Sequence, residues 1–233
     1  PDALRYYLTA NMPESKDTDW DWQDFLNRNN NELVATWGNL ANRVISFAYK
    51  NWDGRVPEPG EPRPEDEQIM HVVETGFAAV GKHIEAVNLR AGLSEGMRLA
   101  AEVNKYLDIT APWFEIKSDK EAAATSIYTA LKAIDCLKIL FAPYLPFSSE
   151  QLHKALGYDQ TLFGEQFTEI VKDDLGEHEV LRYNPENASG VWAASQLQPG
   201  TSLEKPAPLF KKLDNEIVEA ERARLGRPDS DQE

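Results

Sequence analysis

Residues 22–50 read WQDFLNRNNNELVATWGNLANRVISFAYK, and their apolar positions carry a helical period. Trp22, Leu26, Leu33, Trp37, Leu40, Val44 and Ala48 follow one another at steps of three, four or seven, which lines them along one face of an amphipathic helix. A stiff connection rich in proline follows from Val56 to Pro64. The same period then returns in Met70, Val73, Phe77, Val80, Ile84 and Val87, on a helix with an acidic polar face. Gly92 reads as the next turn, and a third helix carries Leu93, Met97, Ala100, Val103 and Leu107 as far as Pro112. A fourth runs from about Ser118 with Ile127, Leu131, Ile134, Leu137 and Leu140 inward, and Leu152 to Leu156 reads as a short fifth. No comparable run alternates with period two. The expectation is therefore an all-α protein, an antiparallel helix bundle whose short connections set sequence neighbours side by side. Residues 1–20 lead in, 21–156 form the bundle, 157–206 are an irregular excursion packed on it, 207–226 a closing helix and 227–233 a polar tail. Phe163, Phe167, Tyr183 and Trp192 are the expected anchors of the excursion.

The 233 residues carry 39 acidic against 24 basic side chains, a net charge of −15. Hydrophobic residues at 42% and aromatic ones at 10% exceed what disordered acidic chains contain. The single cysteine, Cys136, cannot form an internal disulfide, and no apolar run approaches the ~18 residues that span a bilayer. A soluble cytoplasmic protein is expected, without membrane or DNA partners. Phosphate neutralisation needs clustered Lys and Arg, so this charge excludes a broad basic footprint and requires any nucleic acid to be gripped locally. The chain opens Pro1-Asp2-Ala3-Leu4 without an initiator methionine, so it is expected to begin inside a longer polypeptide.

Catalytic signals are sparse. His71 and His83 lie twelve residues apart on one helix, about 120° out of phase, so no metal site is expected. Cys136 falls in an apolar helix and reads as a buried, inert thiol. Glycine-rich phosphate loops are absent, and no residue is expected to be catalytic. One polar stripe stands out on the first long helix: Thr36, Asn39, Arg43, Ser46 and Lys50. It is either a solvated face or a reading face, and the local excess of base over acid between Glu32 and Lys50 favours the second. Gly38 sits mid-helix at a cost of ~1 kcal/mol relative to Ala, which suggests a close backbone approach there. Ala111-Pro112-Trp113 leaves a tryptophan at a bend, as a core plug or a stacking platform. Were Trp113 to share a rim with Asn39 and Arg43, the set would suit single-stranded RNA, an aromatic to stack a base and polar groups to read its edge.

Several of these segments resemble a known family. Asp2-Ala3-Leu4-Arg5-Tyr6-Tyr7-Leu8 resembles a segment shared by class I aminoacyl-tRNA synthetases. Phe25 to Leu33, then Gly38-Asn39-Leu40-Ala41-Asn42-Arg43, then Asn104-Lys105-Tyr106 and Ala111-Pro112-Trp113, are similar in order and spacing to the anticodon-binding region of the methionyl-tRNA synthetases. Pro208 to Asp214 is similar to that family's closing helix. The resemblance implies that Asn39, Arg43 and Trp113 bind the CAU anticodon of tRNA(Met), and that residues 1–20 connect to a preceding catalytic domain and contact the tRNA stem. It also implies ATP and methionine, with zinc in an upstream insertion, as ligands of that catalytic region and no cofactor here, because HIGH-like and KMSKS-like signatures do not occur in this chain. The expected partners are thus the tRNA(Met) anticodon loop and the catalytic domain. The alternatives are the corresponding domain of another class I synthetase, or a helical scaffold for proteins in which Trp113 is buried core.

Overall fold

The computed structural model describes residues 1–14, 17–174 and 176–224. After α1 (Asp2–Ala10) the chain builds one continuous rod from α2 (Trp22–Arg28), a π-helical stretch (Asn29–Gly38) and α3 (Asn39–Asn51). The antiparallel pair α4 (Pro64–Glu85) and α5 (Leu89–Thr110) follows, then the single turn α6 (Pro112–Glu115), the long α7 (Lys120–Phe141) and α8 (Pro146–Ala155). Asp21 starts α2 and Asp119 starts α7, each carboxylate accepting from two free N–H groups of the first turn. Gly92 lies inside the first turn of α5 rather than in a connection; a Cβ there would strike the Tyr144 hydroxyl.

α7 is the centre. Sixteen of its 22 residues are buried, so it is apolar or sealed on every side, and α3, α4, α5, α6 and α8 all pack against it. Its two buried charges are neighbours one turn apart. Lys138 Nζ donates to Asp135 Oδ1 at 2.5 Å and lies 2.8 Å from His153 Nδ1, while the other His153 nitrogen meets Ser189 Oγ at 2.8 Å. Tyr158 donates to Asp135 at 2.7 Å and stacks on the imidazole. Cys136 is buried beside this group, and burial pushes its thiol up to about 12, in line with an inert role.

The fold is predominantly helical but not all-α. Within the stretch expected to be irregular, β1 (Glu165–Asp173) and β2 (Gly176–Asn184) pair antiparallel, Glu165 opposite Asn184 through Asp173 opposite Gly176. Apolar residues fall on both faces of this ribbon, Ile170 next to Val171 and Val180 next to Leu181, so no period-two signal arises. Phe167 stands exposed on the ribbon, and Tyr183, also exposed, accepts from Gly164 N at 2.8 Å through its hydroxyl, holding the ribbon to the start of the excursion. Trp192 does anchor, donating from Nε1 to Phe77 O at 3.2 Å, and Leu162, Leu197 and Leu203 supply the buried contacts.

The closing helix is also shorter than expected: α9 spans Asn215–Arg224, and the residues from 207 to 214 are not helical. Side chains from the rod hold that strand of chain open. Asn29 Nδ2 donates to Lys211 O (3.0 Å), and the Asn30 carboxamide both donates to Leu213 O (2.8 Å) and accepts from Leu213 N (2.9 Å). Backbone groups satisfied in this way have no need of helical partners. The polar tail expected at 227–233 lies outside the described residues. No helix among the described residues is long and apolar enough to cross a membrane.

The Lys138 cluster has a pH signature. Burial first, and the Lys138 ammonium second, push His153 down to about 4, so the ring is neutral in the fold and accepts from Lys138. A depressed histidine contributes stability that is complete above its ordinary value near 6.5 and is lost as pH falls towards 4. Urea titrations should show the wild-type midpoint falling further between those limits than that of His153→Gln. Parallel pH profiles for the two proteins would count against a neutral His153.

Candidate nucleic-acid interface

Two of the three expected site residues, Arg43 and Trp113, come together where the rod meets the bend after α5. The π winding of 29–38 ends at Gly38, so Asn39 begins α3 with its side chain exposed, and Arg43 follows one turn on, a rise of ~6 Å. On the opposite side Ala111 adopts a left-handed conformation (φ 42°, ψ 54°), and Pro112 starts α6 with a φ already suited to a helix. This reversal turns Trp113 towards α3.

Arg43 and Trp113 meet. The guanidinium carbon lies 4.3 Å from the indole centroid, a cation–π contact, and Phe47 presents its ring edge-on to the indole at 6.0 Å. Arg43 Nη2 reaches Asn104 Oδ1 at 3.5 Å, and Asn104 itself is held by donating to Ala100 O (3.1 Å) and Thr36 O (3.5 Å). Burial lowers the Arg43 pKa, with Asp108 opposing, yet a guanidinium remains charged under these conditions. Its Nε is shielded from solvent and has no hydrogen-bond partner. A buried donor without an acceptor is costly, and here it sits on the face of an aromatic ring.

A groove of about 360 Å³ opens on the Asn39 side. Its floor is Val34, Ala35 and Gly38, its rim Asn39 and Asn42, and its far wall Pro208, Leu209 and Phe210 of the returning chain. Gly38 is what lets that wall close: a Cβ would lie 2.9 Å from Leu33 O and 3.0 Å from the Phe210 ring. The approach expected from the glycine alone is therefore real, and its partner is the carboxyl-terminal segment.

Trp113 is half-buried, neither a sealed plug nor a free ring, and it shares its neighbourhood with Arg43. Of the remaining stripe, Thr36 donates back to Asn31 O and Lys50 stands in solvent. Sequence reasoning missed Phe47, and it marked Asn104 and the segment of Phe210 by resemblance without giving either a contact. It also passed over the clamp made by Asn29 and Asn30, although three consecutive asparagines in a helical run are a visible anomaly of propensity. Among the described residues, no group of three His, Cys, Asp or Glu is placed to hold a metal.

Comparison with known proteins gives a consistent answer. Residues 56–182 match the family model described as the anticodon binding domain of methionyl tRNA ligase, and residues 1–45 match that for class I tRNA synthetases (M). The two matches divide the site, Asn39 and Arg43 in one and Trp113 in the other. The chain is 49% identical over 97% of its length to a methionine–tRNA ligase of Thermomicrobium roseum, and 49% identical over 96% to that of Chloroflexus aurantiacus. It spans 39% and 37% of those two relatives. Among solved structures, Mycobacterium tuberculosis methionyl-tRNA synthetase bound by methionyl-adenylate superposes with a TM-score of 0.75 at 25% identity, covering 90% of this chain and 37% of that one.

Gly38 offers a test by sign. In an open helix Gly→Ala gains ~1 kcal/mol. Here Gly38→Ala should instead cost about 1–3 kcal/mol in urea denaturation, because the methyl must displace Leu33 O or the Phe210 wall. A stabilised variant would mean that the groove wall does not close on Gly38.

Proposed function

This chain belongs to the family of methionyl-tRNA ligase anticodon-binding domains, and we propose that it reads the CAU anticodon of tRNA(Met) through Asn39, Arg43 and Trp113. The carrying observation is the Arg43–Trp113 pair, with its cation on the ring and an unpartnered Nε donor. A base stacking at Trp113 meets the guanidinium already in place. Cytosine offers N3 and O2 as acceptors to that donor set, and an amine that the exposed Asn39 carboxamide can accept from. Uracil reverses two of those groups and would leave buried polar atoms unpaired, at ~1–3 kcal/mol each. The groove between Asn39 and Phe210 gives a second splayed base of the triplet a place beside the first.

The whole protein, on this reading, is a cytoplasmic methionine–tRNA ligase that uses ATP to join methionine to its tRNA. ATP, methionine and any zinc belong to the preceding catalytic region. This domain's part is to hold the anticodon so that the distant acceptor end reaches that region. By itself the chain should bind RNA without charging it.

Binding to an RNA stem-loop bearing CAU tests the assignment. Trp113→Ala should weaken binding by ~1–3 kcal/mol whatever the triplet, as loss of stacking does. Arg43→Ala and Asn39→Ala should reduce the preference for CAU over UAU by a similar amount. Unchanged affinity in all three variants would remove these residues as readers, and lost affinity with intact preference would make Asn39 and Arg43 backbone contacts.

A further inference from the structure

We propose that Phe114 and Lys117 form a second, sequence-independent contact with the RNA, a stacking ring and a phosphate partner for a nucleotide flanking the triplet. The inference rests on the reading that a loop lies over Trp113. Successive side chains of α6 leave the helix about 100° apart. Trp113 turns to Arg43 on α3, and Glu115 turns the other way to Arg63 Nη1 at 2.9 Å. Phe114 falls between them and points into solvent, 68% exposed.

An exposed apolar side chain alone is ordinary. This one is set on a rigid mount. Pro112 is buried, Ala111 is held left-handed, and Glu115 is tied to Arg63 and within 3.4 Å of the Ser126 hydroxyl, so the two aromatic rings keep a fixed relation.

Charge supplies the second observation. Lys117 Nζ lies over the Phe114 ring, 5.6 Å from its centroid. Among the described residues, Lys50, Lys105, Lys117 and Lys120 form no ion pair. Of the acids nearest Lys117, Glu115 is paired with Arg63 and Asp119 accepts from Glu121 N and Ala122 N, while Asp53, Asp108 and Glu121, nearer the other lysines, form no ion pair among the described residues. In a chain of net charge −15, Lys117 stays an unpaired cation at the face of an exposed ring, available to an anion. A ring with a cation at its face and solvent beyond matches a nucleotide, whose base stacks while its phosphate pairs. Every base has a π-face, so such a contact adds affinity without adding sequence preference.

The test uses the 233-residue chain and a CAU stem-loop with 2-aminopurine next to the triplet, whose fluorescence reports stacking. Phe114→Leu should weaken binding about tenfold, abolish the 2-aminopurine quenching and leave CAU preference intact. Phe114→Trp should retain both affinity and quenching. Lys117→Gln should shallow the slope of log affinity against log salt by about 0.7, the value for one phosphate on a single strand. Wild-type affinity in Phe114→Leu with CAU preference intact overturns this inference alone, and loss of preference in that variant overturns its sequence independence. A wild-type chain without CAU preference overturns the reading beneath it, and this inference with it.

Discussion

A helix buried on all sides needs a neighbour for each face, and α7 sets that requirement for the whole molecule. α3, α4, α5, α6 and α8 all pack on it, with Ser126 of its first half meeting Glu115 of α6 and Lys138 near its end meeting His153 of α8. Lys138 and Asp135 add a stricter demand, since a charge so placed must be paired and hydrogen-bonded to be tolerated. His153, Tyr158 and Ser189 meet it, and in doing so they fix α8 and the following excursion. The position of Trp113 is inherited from this core, because α6 rests on α7 and the Arg63–Glu115 pair joins it to the start of α4.

Net charge and local charge play different parts. Many acids serve inward: Asp2 accepts from Ser148, Asp66 from Tyr106 and Arg63, and Glu150 from Leu162 N. Glu32 accepts from Tyr6 and pairs with Arg28. Such carboxylates direct their acceptor capacity to internal donors, so they serve the fold as well as the net charge. The rim around Arg43 is left with a desolvated cation on an aromatic ring, an arrangement suited to the edges and faces of bases more than to a run of phosphates.

The bundle was legible because helical amphipathicity survives in sequence: Leu33, Trp37, Leu40 and Val44 announce one helix although a π stretch interrupts it. The hairpin was not legible, because a ribbon exposed on both faces imposes no alternation. The non-helical closing segment escaped for another reason. Leu209 and Leu213 have helical spacing, but the asparagines that hold the backbone open lie far away in the chain. Asn39, Arg43 and Trp113 stood out as candidates by residue type and pattern, and Gly38 as a cost needing a cause, which the Phe210 contact supplies. Asn104 and Phe210 lie in segments the resemblance marks, but their roles were not readable, since nothing local shows which other element a side chain will touch.

The clamp between Asn29–Asn30 and residues 211–213 joins positions 182 and 183 apart in sequence. A ribosome adds residues in order, so the rod that carries Asn39 and Arg43 emerges long before the segment that walls its groove. A nascent chain can therefore hold the rod and bundle while the groove beside Asn39 still lacks its Pro208–Phe210 wall. That wall closes only once the asparagines have captured the backbone of residues 211–213.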